Sequence, residues 1–534
     1  METAFQEFLD RFETVIKPLS RELNLSFWES SISGRRKDYA RTAVLELKLR
    51  QIYANREEFE QLKTFKESGT IRDPLLARQL TVLYNSYLEN QIDPKLMKKI
   101  VFLSTEVENT FNTFRARLDG SPITNNQILD ILRHETNVSV RRKAWEAGKE
   151  IGHLVVHKLL ELVKLRNEAA QHLGFNNYYE MSMILSEQEP REIGQLFQKL
   201  ADLTDEPFKN LKARVDEKLS GRFGIEPFEM QIWHYEDPFF QEAPRISEID
   251  LNRCFLNQNV VTLAQKFYNG IGLPPGSILK NSDLYEKLGK EQHAYTIDID
   301  RMGDVRILAN VKHDEYWMST MLHELGHGLY DFCIDRSLPF LLRTHAHIFT
   351  TEAVAMFFAR LSRNADWIDK MAGIPQKWKK KVAREAGQAL RLQQILFSRW
   401  AQVMVNFERA LYANPDQDLN GLWWQLVEKF QYIRRPEGRN APDWATKIHV
   451  CSAPVYYHNY ALGEIMASQL VHFIRTSVLG LSADQSAGFV EMPEVGAFFK
   501  EKIFLPGAKY HWNDLLKQAT GEALTPDYFV RQFV

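Results

Sequence analysis

Residues 320–360 constrain the fold of this chain more than any other stretch, because they place the pattern H-E-x-x-H within an apolar helical run. His323 and His327 are four residues apart, so on an α-helix both imidazoles lie on one face and can bind a single ion. Glu324 lies about 100° further round the same turn, where its carboxylate can accept a proton from a water held by that ion. The pattern therefore predicts a helix that carries a metal clamp and a base.

The residues around this pattern favour a buried metal site over a chance occurrence. An H-E-x-x-H run arises by chance in roughly 3% of chains of this length, as polar residues on the outer face of a helix. Here apolar residues flank it at helical spacing, namely Trp317, Met321, Leu322, Leu325 and Leu329. They predict a largely buried helix, and buried histidines beside a buried glutamate need a cation to replace their lost hydration.

A catalytic zinc ion takes three protein ligands and leaves one position to water, so a third ligand is expected nearby. Glu352 is the best candidate, near the start of a second helical run in which Thr350 or Thr351 is the expected N-cap. The small residues Ala355 and Ala359 are expected to let this helix pack closely against the first. By itself, Glu352 also fits an ordinary first-turn acid favoured by the helix dipole. The histidine pair favours the ligand interpretation.

Composition excludes several classes of partner. The chain has 534 residues, 44% of them hydrophobic and 25% charged, which is typical of a globular protein with a large core. Its 67 Lys and Arg against 69 Asp and Glu indicate neither a nucleic acid nor a membrane surface as partner. Three distant cysteines, Cys254, Cys333 and Cys451, predict no disulfide framework. With no basic leader and no apolar run of about 18 residues, a soluble cytoplasmic protein is expected, unless a leader has been removed.

Sequence periodicity predicts a mainly α protein with one small β element. Residues from 1 to about 220 are helical in pattern, with few glycines or prolines, and are expected to form a scaffold. Residues 293–311 alternate instead, which predicts a β-hairpin that leads directly into the zinc helix. A strand edge at that place can hold an extended peptide through main-chain hydrogen bonds.

A family resemblance is carried by four segments: His323-Glu324-Leu325-Gly326-His327, Leu338-Pro339, Leu342-Arg343 and Glu352-Ala353. Together they resemble the zinc core of angiotensin-converting enzyme and its microbial relatives, with thimet oligopeptidase and oligoendopeptidase F as cousins among the glutamate-liganded zinc peptidases. The resemblance implies one zinc ion held by His323, His327 and Glu352, with Glu324 as general base. Patchier matches run from about residue 130 to the end of the chain.

The resemblance also implies residues that bind substrate ahead of the zinc helix. Gln231, in Gln231-Ile232-Trp233, matches a glutamine that binds the C-terminal carboxylate of the substrate, although an exposed loop glutamine is the simpler interpretation of so short a match. His293 lies thirty residues before His323, as in the family, which implies a hydrogen bond from His293 to a substrate carbonyl. For the neighbouring Ala294 the resemblance implies the strand-edge role.

A second matching segment begins at Lys447-x-His449 and continues through paired tyrosines. There the resemblance implies that Lys447 and Tyr457 bind the terminal carboxylate and that His449 binds a carbonyl oxygen. Tyr460 is implied to stabilise the oxyanion that forms during hydrolysis, and a phenol donor opposite the metal can do so by a few kcal/mol. The spacing is one residue off the family pattern, so Tyr456 is an alternative to Tyr457.

Two further positions depart from the family pattern. Asn459 stands where animal converting enzymes have a chloride-binding arginine, so chloride activation is not implied. Met356 stands four residues after Glu352, where relatives have an aspartate that orients a ligand histidine. Another acceptor is therefore expected to orient that histidine here.

Taken together, these patterns predict one catalytic domain over residues 1–534, mainly α, with two helical lobes, a deep cleft and a small hairpin beside the zinc helix. Residues from about 221 to 534 are expected to carry the zinc and substrate sites. The predicted function is zinc-dependent hydrolysis of short peptides, and Lys447 and Gln231 favour release of C-terminal dipeptides. An oligoendopeptidase, in which Lys447 pairs with a structural acid, is the alternative. A zinc-bound peptide-binding protein without activity is a third, and Glu324 argues against it.

Overall fold

A computed structural model describes residues 1–245, 250–482, 485 and 487–534, and these confirm the mainly α fold. The described residues up to 245 form long helices and one short hairpin. The elements are α1 (Glu2–Ser33), α2 (Arg36–Tyr53), α3 (Arg56–Ser68), α4 (Pro74–Glu89), α5 (Pro94–Thr113), β1 (Ala116–Leu118), β2 (Ser121–Ile123), α6 (Asn125–His134), α7 (Val138–His172), α8 (Tyr178–Leu185) and α9 (Pro190–Phe223).

The described residues after 250 continue with helices around a second hairpin. They are α10 (Val260–Gly270), α11 (Gly276–Asn281), β3 (Tyr295–Asp298), β4 (Val305–Leu308), α12 (Glu315–Cys333), α13 (Ile348–Ala359), α14 (Ala365–Ala372), α15 (Gln376–Ala413), α16 (Leu419–Gln431), α17 (His449–Ser452), α18 (His458–Phe473), α19 (Pro493–Phe498), α20 (Trp512–Thr520) and α21 (Asp527–Phe533).

Local sequence signals account for several helix starts. At α4, the side chain of Asp73 accepts hydrogen bonds from the backbone N–H groups of Leu75 and Leu76, and Pro74 occupies the first helical position. Asp93 and Pro94 repeat this arrangement at α5. An acceptor followed by proline starts a helix well, because the side chain satisfies free N–H groups and proline lacks one.

The tertiary contacts divide the chain into two compact units, each built from three separate segments. Unit 1 comprises Met1–Gln91, Ile249–Gly387 and Leu462–Tyr528, and unit 2 comprises Ile92–Glu248, Gln388–Ala461 and Phe529–Val534. The predicted single domain, with its cleft and its scaffold portion ending near residue 220, stays a prediction. The site residues are therefore described unit by unit.

Two expectations from composition concern membranes and cysteines. Among the described residues, no helix combines the length and the apolar character that crossing a bilayer requires. Cys254, Cys333 and Cys451 are free thiols, so the expectation of no disulfide framework is confirmed.

In unit 1, an aromatic core joins the first helices to the segment after α12. Phe5 packs on Phe65 with ring centroids 5.3 Å apart, and Tyr87 packs on Phe12 at 6.2 Å. Phe340, which follows the metal helix in sequence, belongs to the same buried cluster. Each of these rings buries a large apolar area, so this cluster anchors α1, α3 and α4.

The predicted hairpin near the zinc helix is confirmed. β3 and β4 pair antiparallel, with Tyr295 opposite Leu308. The outer side of β4 is covered, since Asp283 donates to the Ile307 carbonyl (2.9 Å) and accepts from the Ala309 N–H (2.9 Å). Among the described residues no strand pairs with the outer side of β3. Asn24 of α1 donates to the Asp298 carbonyl on that side at 3.0 Å, and the binding of a peptide along β3 stays a prediction.

The metal-bearing helices α12 and α13 approach each other closely because the residues between them are small. A Cβ atom on Gly326 would lie 3.0 Å from the Cα atom of Ala355, which leaves no room for a side chain there. Ala355, one of the two alanines expected to allow close packing, is therefore in contact with α12. The close approach places Gly326, which directly precedes His327, against α13, the helix that carries Glu352.

In unit 2, two buried guanidinium groups on α7 hold the loops that carry predicted site residues. Arg141 donates to the Trp233 and Tyr235 carbonyls at 2.9 and 3.0 Å, which holds the loop that begins at Gln231. Arg166 donates to the Cys451 carbonyl at 2.8 Å, which holds the short helix that begins at His449. Charge-assisted bonds to main-chain carbonyls are strong when they are shielded from water.

Candidate metal centre and active site

Unit 1 brings the three predicted metal ligands together. The His323 and His327 Nε2 atoms are 3.2 Å apart on α12. From α13, the two carboxylate oxygens of Glu352 approach them, Oε2 at 3.7 Å from His323 Nε2 and Oε1 at 3.9 Å from His327 Nε2. One ligand atom from each residue lies within 4.8 Å of the others.

This donor set fits a zinc ion. Ligand atoms arranged tetrahedrally at zinc distances lie about 3.3 Å from one another, and the observed separations of 3.2 to 3.9 Å are close to that value. Burial lowers the pKa of His323 to about 4, so its imidazole is neutral near pH 7 and has a lone pair to offer a metal. Burial, and then the nearby carboxylates of Glu324 and Glu464, raise the pKa of Glu352 to about 7. A bound cation would favour the charged carboxylate.

The helix that carries Glu352 starts differently from the prediction. Its N-cap is His347, whose imidazole Nδ1 accepts from the Phe349 N–H at 3.2 Å, so the predicted caps Thr350 and Thr351 are wrong. Histidine was not considered because hydroxyl and carboxamide side chains dominate this position. Glu352 is consequently the fifth residue of α13 and lies beyond its first turn, where the helix dipole no longer explains an acid.

Glu324, the predicted base, is held by a residue of the hairpin. Its side chain is buried, which raises its pKa to about 7. The Thr296 hydroxyl on β3 lies 2.7 Å from Glu324 Oε2 and 2.9 Å from the Glu324 carbonyl oxygen. Sequence reasoning placed Thr296 in the hairpin but gave it no role. Only the packing of β3 on α12 reveals that it orients the base.

The other predicted residues of unit 1 lie at the start of the same strand. His293 is exposed, and its backbone N–H donates to Glu291 Oε1 at 3.2 Å. Ala294 is half-buried and immediately precedes β3, whose outer edge pairs with no other strand within the described residues. Their predicted contacts with substrate stay predictions.

In unit 2, Lys447, His449, Tyr457 and Tyr460 form one cluster. The Tyr457 ring lies 5.2 Å from the His449 ring and 5.4 Å from the Tyr460 ring, centroid to centroid. The Lys447 ammonium lies 5.5 Å from the Tyr457 ring centroid. Tyr456 packs instead on Tyr460, at 5.3 Å. This geometry favours Tyr457 over Tyr456 as the companion of Lys447.

Lys447 is a buried cation with few partners. Its side chain donates one hydrogen bond, to Gln241 Oε1 at 2.6 Å, and is otherwise surrounded by aromatic rings such as that of Trp400, 5.4 Å away. Among the described residues no carboxylate lies within ion-pair distance of its ammonium. Burial lowers the pKa of Lys447 to about 8, so the ammonium is charged at neutral pH. An anionic ligand would satisfy it.

Two more predicted residues of unit 2 have unsatisfied polar atoms. His449 Nδ1 and Gln231 Oε1 are both buried and have no hydrogen-bond partner among the described residues. Burial, and then the nearby Lys447 charge, lower the pKa of His449 to about 4. No hydrogen bond joins Gln231 to the Lys447 cluster; its backbone N–H donates to His234 Nδ1 at 2.7 Å. Buried polar atoms usually have a hydrogen-bond partner, and a bound substrate or water would supply one here.

Comparison with known proteins identifies the family of this chain. The profile of the Peptidase M2 family, angiotensin-converting enzyme, matches residues 1–527. The chain belongs to this family. It is 22% identical over 421 residues to thermostable carboxypeptidase 1 of Pyrococcus furiosus, covering 74% of this chain and 76% of that protein. It is 24% identical over 268 residues to carboxypeptidase 1 of Bacillus subtilis, covering 46% of this chain and 52% of that protein. As a member of the angiotensin-converting enzyme family, the chain is a metallopeptidase.

In this member of the angiotensin-converting enzyme family, a threonine lies where it can orient a ligand histidine, the role that an aspartate at position 356 has in relatives. His327 Nδ1 lies 2.6 Å from the hydroxyl Oγ1 of Thr351, which is buried directly before Glu352. When the hydroxyl accepts from Nδ1–H, Nε2 carries the lone pair that a metal needs. Thr351 therefore provides the acceptor that Met356 cannot. A hydroxyl residue next to a buried ligand was the available sequence signal, and it was interpreted as a helix cap.

Asn459, the other residue that departs from the angiotensin-converting enzyme family pattern, forms a side-chain hydrogen bond in unit 2. Asn459 is buried, and its Oδ1 accepts from Gln188 Nε2 at 2.9 Å. The other side-chain atom of Gln188, Oε1, lies 2.7 Å from His458 Nε2. Asn459 thus belongs to a network of neutral side chains.

Proposed function

We propose that this metallopeptidase depends on zinc and releases dipeptides from the C-termini of short peptides. The observation that carries the proposal is the buried Lys447 ammonium, which has one neutral hydrogen-bond partner and no acidic one among the described residues. A terminal carboxylate is the group that such a cation lacks. A carboxylate held at a fixed place selects the bond to be cut by its distance from the C-terminus.

In the proposed reaction, His323, His327 and Glu352 hold the zinc ion. When bound, zinc supplies Lewis acidity, which polarises the scissile carbonyl and makes water a nucleophile near neutral pH. Glu324 accepts a proton from the attacking water and delivers it to the leaving amine. Burial raises the pKa of the Glu324 carboxyl above its usual range, which helps a group that must both take and give a proton. Thr296 keeps the carboxylate in position through its 2.7 Å hydrogen bond.

The remaining roles concern the substrate. Tyr460 and His449 donate hydrogen bonds to the carbonyl oxygen as negative charge develops on it. The unpartnered Nδ1 atom of His449 supports a ligand contact for this residue. The substrate itself is held along its main chain and at its C-terminal carboxylate by His293, Ala294, Gln231, Lys447 and Tyr457.

The two relatives support cleavage near the C-terminus, because both are named carboxypeptidases. The alternative, an oligoendopeptidase, requires that Lys447 serve a structural acid instead of a substrate. That alternative predicts cleavage independent of the terminal carboxylate, so the two activities differ in a measurable way.

The deciding experiment compares short peptides that differ only in a free or an amidated C-terminus, with products identified by mass spectrometry. Dipeptide products and a strong preference for the free carboxylate are expected, and Lys447→Met should remove the preference while Lys447→Arg retains part of it. Equal rates on both peptides would refute the proposed release of C-terminal dipeptides and favour an oligoendopeptidase. Release of single residues would show that the enzyme cleaves at the C-terminus but does not release dipeptides.

A second experiment tests the metal and the base. Metal analysis is expected to find about one zinc per chain, and removal by a chelator should abolish hydrolysis. Glu324→Gln should lower kcat by about 10²- to 10⁴-fold while zinc content stays unchanged. Unchanged turnover in this variant would show that the chain binds peptides without cleaving them.

A further inference from the structure

A cavity in unit 1, away from the metal ligands, is lined by positively charged residues and has no assigned ligand. It has a volume of about 170 Å³ and lies between α1, α2 and the turn that joins β3 to β4. A water molecule needs about 10–15 Å³ of such space, so the cavity has room for a small organic or inorganic ion. The residues that matter for its chemistry are Lys17, Arg21, Tyr53, Asp300, Arg301 and Phe340.

Arg301 is the principal charge in this cavity, and it forms no ion pair with any residue that the structure describes. Its guanidinium donates one hydrogen bond, from Nη1 to the Phe340 carbonyl at 3.1 Å, and packs on the Phe340 ring at 4.9 Å. A guanidinium carries five N–H donors, so most of them are unused. Among the described residues no carboxylate lies within ion-pair distance of it. Burial lowers the pKa of Arg301, and the nearby Tyr53, Asp298 and Asp331 act in the opposite direction.

The rest of the lining adds positive charge and a donor. Arg21, on α1, is exposed and makes no ion pair within the described part of the chain. The Tyr53 hydroxyl on α2 has no hydrogen-bond partner among the described residues. Lys17 pairs with Glu13 on its own helix. Asp300 is the acidic residue of the lining. Its Oδ1 accepts hydrogen bonds within its own turn, from the backbone N–H groups of Met302 (2.8 Å) and Asp304 (3.2 Å).

The backbone holds Arg301 in this place at an energetic cost. Arg301 has φ of 55°, in the left-handed region, and its N–H donates to Asp298 Oδ1 at 2.8 Å. A residue with a side chain is disfavoured in this conformation, which glycine would adopt freely. The turn therefore places a charged side chain at the cavity in a backbone conformation that glycine would adopt more readily.

We propose that this cavity binds a small anionic group, a carboxylate or a phosphate, with Arg301 as its main ligand and with Arg21 and Tyr53 as further donors. Planar guanidinium groups bind such oxyanions through paired hydrogen bonds. The ligand is either a free anion or an acidic group on a peptide, since both present the same oxygen atoms. The inference does not depend on the peptidase reaction proposed above.

Calorimetric titration of the zinc-loaded protein with inorganic phosphate, at constant ionic strength, tests the site. We expect saturable binding that Arg301→Gln weakens by about 10-fold or more and that Arg21→Gln weakens by a smaller factor. The matched control is Arg11→Gln, an exposed arginine on the same helix but outside the cavity lining, which should bind like the unchanged protein. Arg21→Gln alters only an exposed side chain and keeps the test valid if Arg301→Gln does not fold.

A second arm distinguishes the two sources of the anion. Two short peptides that differ only in Glu or Gln are titrated into the Glu324→Gln variant, so that neither is cleaved. Preference for the Glu peptide, lost in Arg301→Gln, identifies the anion as a peptide side chain, whereas binding of phosphate alone identifies a free anion. Absence of both kinds of binding overturns the proposal. Phosphate binding that persists unchanged in Arg301→Gln and Arg21→Gln also overturns it, because the anion then binds outside this cavity.

Discussion

Replacing Thr351 with valine should weaken zinc binding while leaving every metal ligand in place. The substitution keeps the shape of the side chain and removes the hydroxyl that lies 2.6 Å from His327 Nδ1. Without an acceptor at Nδ1, the imidazole is no longer held in the orientation and tautomer that present Nε2 to the metal. Loss of such a partner lowers metal affinity by about 10- to 100-fold, which corresponds to about 1.4–2.7 kcal/mol.

The structure supports a value in this range. Thr351 is 4% exposed, so bulk water does not replace the lost hydroxyl. An unpaired buried N–H group costs about 1–3 kcal/mol, which agrees with the loss expected from metal affinity. Because the effect acts on metal binding, activity should recover when zinc is added well above the new dissociation constant.

The assay is competition for zinc against a chromogenic chelator of known affinity. Thr351→Ser is the matched control, since it keeps the hydroxyl and loses one methyl group; its zinc affinity should stay within about threefold of the unchanged protein. Equal affinity in the valine variant, or an equal loss in the serine variant, would refute the role of this hydroxyl.

Three more predictions follow from the site and its packing. Thr296→Val should lower kcat by about 10-fold with KM and zinc content unchanged, because Glu324 loses its positioning bond, and Thr296→Ser should restore the rate. A valine variant with normal kcat would contradict that role. Lys447, with its pKa lowered to about 8, is charged below that pH and neutral above it, so KM for peptides with a free C-terminus should rise above about pH 8. Amidated peptides should show no such rise. A flat profile for both kinds of peptide would exclude binding of the terminal carboxylate by Lys447. Gly326→Ala places a Cβ atom 3.0 Å from the Cα atom of Ala355 and should destabilise the protein by about 1–3 kcal/mol in thermal unfolding. The control, Gly387→Ala on α15, meets nothing within 4 Å and should be neutral or stabilising.

The parts of the molecule that depend on short spacing were accessible from the sequence. Helix α12 follows from apolar residues at helical intervals, and the same intervals place His323 and His327 on one face. The hairpin follows from alternation around the turn near Gly303. Glu352 required one further step, the ligand count of a catalytic zinc ion, and the structure places its carboxylate beside both imidazoles.

The start of α13 shows what short-range sequence patterns do not predict, namely which role a given side chain takes. Thr350 and Thr351 have the residue type of an N-cap, yet His347 takes that position and Thr351 lies 2.6 Å from His327 instead. Residue type gives a preference for a role, whereas the neighbours brought in by folding decide which role is available. The same holds for Thr296, whose hydroxyl meets Glu324 only because β3 packs on α12.

The sequence by itself therefore determined the helical class, the hairpin and the residue types of the metal centre, since each rests on intervals of a few residues along the chain. Only the tertiary structure decided which hydroxyl groups hold His327 and Glu324, and that Arg301 lines a cavity. It also decided that, among the described residues, no acid forms an ion pair with Lys447 or Arg301. The physical reason is that hydrogen bonding and charge compensation depend on distances between segments far apart in sequence, and packing of the whole chain sets those distances.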